Sequence, residues 1–430
     1  MPTAVQSLIQ NDFSMMQDQA NSVSTTIDDP NNPRVADEAR LVELQTQPQA
    51  NYSPDDLKPL ETAGNGGDGN KTINTDQDDA ADEKEEINKL RKVIQDSSCP
   101  DELKVSAMDS IKRLERMART GVYSREYEIL RNYVDWVVQF PWNKRAQEVL
   151  DIDRVKKVLD EDHYGLEAVK QRVLEYIAIR KLLSEKKDFK AMERSPVICM
   201  VGLQGIGKTT MAKSMARALN RPFYRISMGA IGSVLEIRGK NRSNEGAEPG
   251  QIVKAIARTG VRNPIILLDE LDKASGQTGL LADVMATMLE ILDPEQNTTF
   301  RDHYLDYPID LSEVMFIVSA NKIGTFSAAL MDRMEMIRMP SYTDVEKQVI
   351  ARDYLLPRVR ASTGMGADQL SFDPEVWPLL IRPLGFDSGI RSLQRIVEGM
   401  ARKAALSIVR NETTQVHVTP ENFKDFLPKY

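Results

Sequence analysis

Cysteine is nearly absent from this chain, with 2 in 430 residues. Cys99 and Cys199 stand far apart with no metal-ligand spacing around either, so neither a disulfide framework nor a cysteine metal site is expected. Histidine is almost as scarce. His163, His303 and His417 are widely separated, which argues against a histidine metal centre. No apolar run approaches the roughly 18 residues needed to cross a bilayer, so no membrane role is expected. The opening stretch MPTAVQSLIQNDFSMMQDQ lacks the basic flank and apolar core of a secretory leader and is too acidic for a mitochondrial one. A reducing, cytoplasmic setting follows as the expectation. An excess of basic charge is missing too. The net charge is −8, and residues 1–80 carry 14 Asp/Glu against 4 Lys/Arg, a local −10 that leaves +2 on the remaining 350 residues. A body so close to neutral offers no electrostatic case for nucleic acid as a partner.

What is present is concentrated in residues 195–219, SPVICMVGLQGIGKTTMAKSMARAL. Pro196 to Val201 is a short apolar run of strand character. Gly202 to Thr209 then matches G-x-x-x-x-G-K-[ST], and Met211 to Leu219 places Met211, Met215, Ala218 and Leu219 on one face of a helix. Strand, glycine loop and helix in that order is the context a phosphate-binding loop requires. Glycines let successive backbone N–H groups turn inward around phosphate oxygens, at a helix N-terminus whose dipole favours anions. The expected nucleotide-binding set is Gly202, Gln204, Gly205, Ile206, Gly207, Lys208, Thr209 and Thr210. Lys208 would reach the β- and γ-phosphates of ATP, and Thr209 would ligate Mg²⁺.

Around this loop the chain divides into four expected parts. Residues 1–80 are rich in Asn, Gln, Asp, Ser, Thr and Pro without apolar periodicity, and read as a disordered acidic tail, either solvating or partner-docking. Residues 81–147 read as a helical lead-in, with helices from Glu85 to Gln95, Asp101 to Arg119, and Ser124 to Phe140 under a Ser124 cap. Residues 148–340 alternate helices with apolar strands at Pro196–Val201, Phe223–Met228, Pro264–Asp269 and Val314–Ser319. That alternation predicts an α/β fold with a doubly wound parallel sheet and ligand at the carboxyl ends of its strands. Residues 341–430 read as a small helical lid, opened by the capping box Thr343-Asp344-Val345-Glu346. A strand at Gln415–Val418 and a last helix starting at Thr419-Pro420 complete it.

Two further segments supply chemistry. Ile265 to Glu270 is an apolar strand closed by two carboxylates, sixty residues after the glycine loop. Asp269 would hold Mg²⁺ and Glu270 would polarise the attacking water. The strand at Val314–Ser319 leads to Asn321, a polar amide at a strand end; taken alone, such an Asn reads as a turn former.

Several stretches carry a resemblance to a known family. They are EDHYGLE from Glu161, EIRG from Glu236, LLDELDK from Leu267, LDPEQN from Leu292, DHYL from Asp302, LSEVMF from Leu311, LMDRMEMIR from Leu330 and GIRSLQR from Gly389. Over residues 101–430 the chain resembles the ATPase portion of Lon, the ATP-dependent protease of the AAA+ superfamily of P-loop NTPases. The resemblance implies that His163 and Tyr164 lie at the adenine pocket. It implies that Asn321 is the first sensor, and that Arg333 is an arginine finger directed at a neighbouring subunit's γ-phosphate. Arg391 would be the second sensor, closing the lid on its own nucleotide. A shared finger implies a homo-oligomeric ring, by family analogy a hexamer.

The chain also departs from the family pattern. No Ser–Lys peptidase segment follows the lid before Tyr430, and the acidic tail stands where a large substrate-recognition domain is expected. Asn244-Glu245 replace the aromatic–aliphatic pair of the first pore loop, and Ala274 to Ala286, near the second, differs as well. An aromatic wedge grips unfolded chain through apolar contact, whereas Asn and Glu are well hydrated. The expectation is therefore an ATP-hydrolysing, chaperone-like remodeller of proteins without its own peptidase. Alternatives are the ATPase subunit of a split protease with its peptidase on a separate chain, and a nucleotide-dependent scaffold that threads nothing.

Overall fold

The computed structural model describes residues 87–119, 125–188, 191, 195–274, 280–382 and 389–428. The expected tail, the Ser124 cap and part of the Ala274–Ala286 stretch lie outside them.

A five-stranded sheet forms the centre. Its strands are β1 (Val197–Val201), β2 (Phe223–Ser227), β3 (Ile265–Asp269), β6 (Met315–Ala320) and β7 (Met334–Arg338), in the order β2-β3-β6-β1-β7, with every pairing parallel. Between β3 and β6 the chain makes a small antiparallel hairpin of β4 (Phe300–Asp302) and β5 (Tyr307–Ile309). β3 (IILLD) and β6 (MFIVSA) are buried at every position, as strands covered on both faces must be. Side-chain alternation divides the apolar residues between two layers. Ile198, Met200, Leu267 and Ile317 face the phosphate-loop helix and the helices at Ile152–Asp162 and Glu167–Glu185. Cys199, Ile266, Leu268 and Val318 face the other way, into a cluster that continues through the helices Gln251–Thr259 and Leu280–Leu292 to Asp101–Arg119 and Arg125–Gln139. The lead-in helices thus share an apolar core with the sheet domain. Trp142 joins them, donating its indole N–H to Val137 O at 2.9 Å while meeting Tyr307 edge-on.

β7 was not among the expected strands. Its sequence, MEMIR, mixes polar and apolar residues because it lies at the sheet's edge, beside β1. The lid keeps the expected capping box at Thr343 and Glu346. Beyond it run helices at Leu356–Thr363, Val376–Ile381 and Arg391–Val409, with a separate apolar core. Two corrections apply here. The strand β9 (Val416–Val418) pairs in parallel with β8 (Leu370–Phe372), a partner 46 residues upstream of it that was not anticipated. The last helix spans Phe423–Phe426 rather than starting at Thr419-Pro420. The Asn422 side-chain oxygen accepts the Thr419 N–H at 2.8 Å, which ties residues 419–422 into a turn before the helix can begin.

Candidate functional site

The glycine loop leaves the carboxyl end of β1 and enters the helix Lys208–Ala218. Gly205 and Gly207 adopt positive φ of 79° and 97°, the left-handed conformation that turns backbone N–H groups inward. At Gly202 a Cβ would lie 2.3 Å from Ile206 Cδ1 and 2.6 Å from Met339 O, so no larger residue fits. The helix N-terminus then faces the concavity with its unpaired N–H groups. Thr210 Oγ–H donates back to Gly207 O at 2.8 Å, and Tyr342 O–H donates to Ile206 O at 3.2 Å, which fixes the loop's far side.

Lys208 is buried. Its ammonium donates to Gly202 O at 2.6 Å, Leu203 O at 2.9 Å and Asn321 Oδ1 at 3.0 Å. Burial holds it below the usual lysine range, against the opposing pull of Asp269, Asp272 and Glu270. Asn321, the expected first sensor, therefore stands in direct contact with the phosphate-loop lysine. Asp272 holds it there, accepting the Asn321 N–H at 3.1 Å and the Lys322 N–H at 3.2 Å. Sequence reasoning missed this role of Asp272, since the two segments lie about 50 positions apart and meet only because β3 and β6 are neighbours.

Asp269 ends β3 with its carboxylate buried. Ser319 Oγ–H donates to Oδ1, and the same Ser319 oxygen accepts the Glu270 N–H at 3.0 Å. Oδ2 accepts from Thr209 Oγ1 at 3.4 Å and from Arg225 Nε at 2.6 Å. A hydroxyl and a carboxylate facing one another are the hard oxygen donors that suit Mg²⁺, so the residues fit that ion. Glu270 follows in a left-handed conformation, φ 59°, unusual for a non-glycine residue, and pairs with Lys273 at 3.0 Å.

The lid closes one side. The Ile390 N–H donates to Gly205 O at 3.0 Å, and Gly389 packs so tightly that a Cβ there would lie 2.6 Å from Gln204 O. Arg391, the first residue of its helix, stands against Gly205 and contributes positive charge at Lys208. The two residues expected at the adenine pocket part company. His163 is buried, its Nε2 3.0 Å from Ser214 Oγ, and burial pulls its imidazole down to about 4. Ser214 Oγ–H also lies 2.6 Å from Asp162 Oδ2, so His163 joins a network on the phosphate-loop helix. Tyr164 is at the surface and meets lid residue Tyr354 edge-on, ring centroids 6.4 Å apart.

Arg333 lies elsewhere. It immediately precedes β7, and its carbonyl accepts the Val197 N–H at 2.9 Å, at the amino end of β1. The phosphate loop leaves the opposite end of that strand, four residue steps or about 13 Å away. The guanidinium turns instead to Asp293 Oδ2 at 3.2 Å, beside an open groove also lined by Ser195, Pro196 and Glu295. Burial pushes the Asp293 carboxyl up, but the Glu295 N–H and Arg333 prevail and hold it below its ordinary range. The segment expected as the first pore loop is an exposed turn. Asn244 and Glu245 sit at its tip, Arg242 packs over the Tyr133 ring of the lead-in at 4.1 Å, and Glu245 approaches Arg125 at 3.8 Å. At its base, buried Asp302 accepts the Gly250 N–H at 2.7 Å and the Tyr304 N–H at 2.8 Å.

Comparison with known proteins agrees with this geometry. Residues 198–342 match the profile of the ATPase family associated with various cellular activities (AAA). The chain is 42% identical over 346 residues to a Lon protease of Trichlorobacter lovleyi, covering 80% of this chain and 41% of that protein. It is 43% identical over 318 residues to a mitochondrial Lon protease homologue of Homo sapiens, covering 73% and 32%. With Lon protease 1 of Bacillus subtilis it shares 40% identity over 344 residues, covering 80% and 43%. The chain spans less than half the length of each of these relatives. Among the described residues no helix is long and apolar enough to cross a membrane.

Proposed function

This chain carries a Lon-type AAA+ ATPase module, and from that premise we propose that it is an Mg²⁺-dependent ATPase that works as an oligomeric ring to remodel a protein partner. The observation that carries the reading is the convergence of Lys208, Thr209, Asp269, Glu270 and Asn321 at the carboxyl ends of β1, β3 and β6. Mg²⁺ bound to ATP would neutralise charge that develops on the phosphoryl oxygens. The protein's own residues do the rest. The loop's N–H groups and Lys208 bind and orient the phosphates. Thr209 and Asp269 hold the cation. Asn321, fixed by Asp272 and touching Lys208, positions a water, and Glu270 draws a proton from it as it attacks. Arg391 and the lid close over the loop and keep bulk water out. His163 supports the phosphate-loop helix from within, and Tyr164, at the surface beside the lid, is the better candidate for contact with the base.

Arg333 completes the neighbouring subunit's site rather than its own. What supports this is its place at the amino end of the sheet, too far from the phosphate loop beside it to act there. Hydrolysis then depends on assembly in a head-to-tail ring. A cytoplasmic setting and a hexameric count belong to the same proposal.

A second reading, a nucleotide-dependent scaffold, is favoured by one observation. The loop tip at Asn244 and Glu245 presents hydrated groups where a threading motor needs an apolar grip. ATP turnover by the purified chain tests the main reading, together with Glu270→Gln. This variant keeps every phosphate and metal contact and loses the base, so it should bind Mg·ATP with wild-type affinity and turn over at least about 100-fold more slowly. Turnover near wild type in Glu270→Gln would remove Glu270 from its role, and none in the wild type would favour the scaffold.

A further inference from the structure

We propose that Arg225 is a positioning residue of the metal site, holding the open oxygen of Asp269 and competing for it with the divalent cation that accompanies the nucleotide. The inference rests on the ATPase reading above. The two oxygens of Asp269 have different surroundings. Oδ1 is turned inward to Ser319, whose oxygen also takes the Glu270 N–H, so it is committed to the sheet. Oδ2 is the oxygen presented to Thr209, 3.4 Å away, and so the one available to a cation shared by the pair. Arg225 Nε–H occupies that same oxygen at 2.6 Å. An oxygen whose charge is drawn towards a guanidinium at 2.6 Å is a weaker ligand for a metal, and the two positive charges also repel.

The pair is built to part. The Asp269 side chain is only 6% exposed, so its charge needs a partner when no cation is bound, whereas the Arg225 side chain is 46% exposed and can swing into water at little desolvation cost. Its backbone is firmly placed. β2 pairs along its length with β3, Arg225 opposite Leu267, and the side chain runs along the sheet to reach Asp269 two positions further on. β2 then continues into the segment that passes the catalytic carboxylate. A Cβ on Gly229 would lie 3.5 Å from Glu270 Oε2. From there the chain enters the helix Val234–Arg238 and the exposed turn with Asn244 and Glu245 at its tip. The residue that yields to the cation is therefore anchored in the segment that leads past Glu270 to that turn.

The test measures cation binding itself, with Mn²⁺ as the probe and free Mn²⁺ followed by electron paramagnetic resonance, on the 430-residue chain with saturating ADP. Arg225→Met removes the competing charge and should bind Mn²⁺ about two- to fivefold more tightly than wild type, the upper part of the range expected for losing one half-exposed ion pair. Arg225→Lys keeps the charge and should fall close to wild type, which a purely steric role would not produce. Circular dichroism establishes that each variant is folded, and Arg225→Gln replaces the methionine variant if that one is not. Mn²⁺ affinity unchanged in the uncharged variants, or weakened, would overturn the proposal, the second result meaning that Arg225 orients Asp269 without competing. Thr209→Ala separates this from failure of the parent reading. If wild type takes up no Mn²⁺ with ADP, or Thr209→Ala takes it up equally well, the site itself is misassigned.

Discussion

Arg333→Ala is the perturbation on which the assembly argument depends. In the folded chain this side chain is 43% exposed and, among the described residues, its ion pair is with Asp293 at 3.2 Å. Pairs that open to solvent contribute about 0.2–1 kcal/mol, so the variant should fold normally, with a melting temperature within a few degrees of wild type. Its own phosphate loop is untouched, because the two lie at opposite ends of β1. Binding of a fluorescent ATP analogue should therefore match wild type. Turnover should not: an arginine finger contributes on the order of 10³-fold or more, about 4 kcal/mol of barrier. The decisive assay mixes Arg333→Ala with Lys208→Ala, each nearly inactive alone. An interface with an intact loop on one side and an intact finger on the other re-forms in about a quarter of randomly mixed head-to-tail contacts. Recovered activity should peak near equal mixing and approach that fraction of wild type. No recovery across the mixing range, with mixed assemblies confirmed by differential labelling and pull-down, would refute action in trans. Normal turnover in Arg333→Ala alone would refute the finger altogether.

Two further outcomes are expected. Asp272→Ala removes the two accepted N–H bonds that fix Asn321 and Lys322; steady-state kinetics should show kcat falling at least about tenfold with KM little changed, because a water-positioning group is displaced while the phosphate contacts remain. His163 is held neutral by burial, its folded value of about 4 lying below the ordinary histidine value of 6.5. The unfolded chain therefore binds the extra proton first: stability from this group is whole above about pH 6.5 and drains away as pH falls towards 4, by up to about 3 kcal/mol. Urea melts of wild type and His163→Gln at pH 7.5 and 4.5 should show a steeper loss in wild type, and parallel losses would count against a buried neutral imidazole.

Much of the site was readable because its chemistry is local. A glycine loop is built from consecutive residues, so Gly202 to Thr209 announce it in one line of sequence, and the run Ile265–Glu270 announces a buried strand ending in two carboxylates just as directly. The capping box at Thr343 and Glu346 is local in the same way. The edge strand β7, the β4–β5 hairpin and β8 carry no comparable pattern. All are short: β7 and β8 exist because a distant segment pairs with each, and the β4–β5 hairpin pairs only three residues on either side of its turn.

What the sequence determined by itself, then, was the inventory of reactive groups and the order of strands and helices that hold them. Tertiary structure decided which of those groups meet. Asp272 clamps Asn321 and Arg225 reaches Asp269 only because β2, β3 and β6 lie side by side. Resemblance suggested a finger at Arg333, but where that residue stands comes from the sheet: β7 runs parallel to β1, so a residue just before β7 lies at the end opposite the glycine loop. His163 and Tyr164 are adjacent in sequence, yet the chain turns between them, one into the core and the other to the surface. Backbone geometry over a few residues is encoded locally, whereas which side chains share a space depends on pairing across tens of positions, a choice the chain makes only when the whole sheet closes.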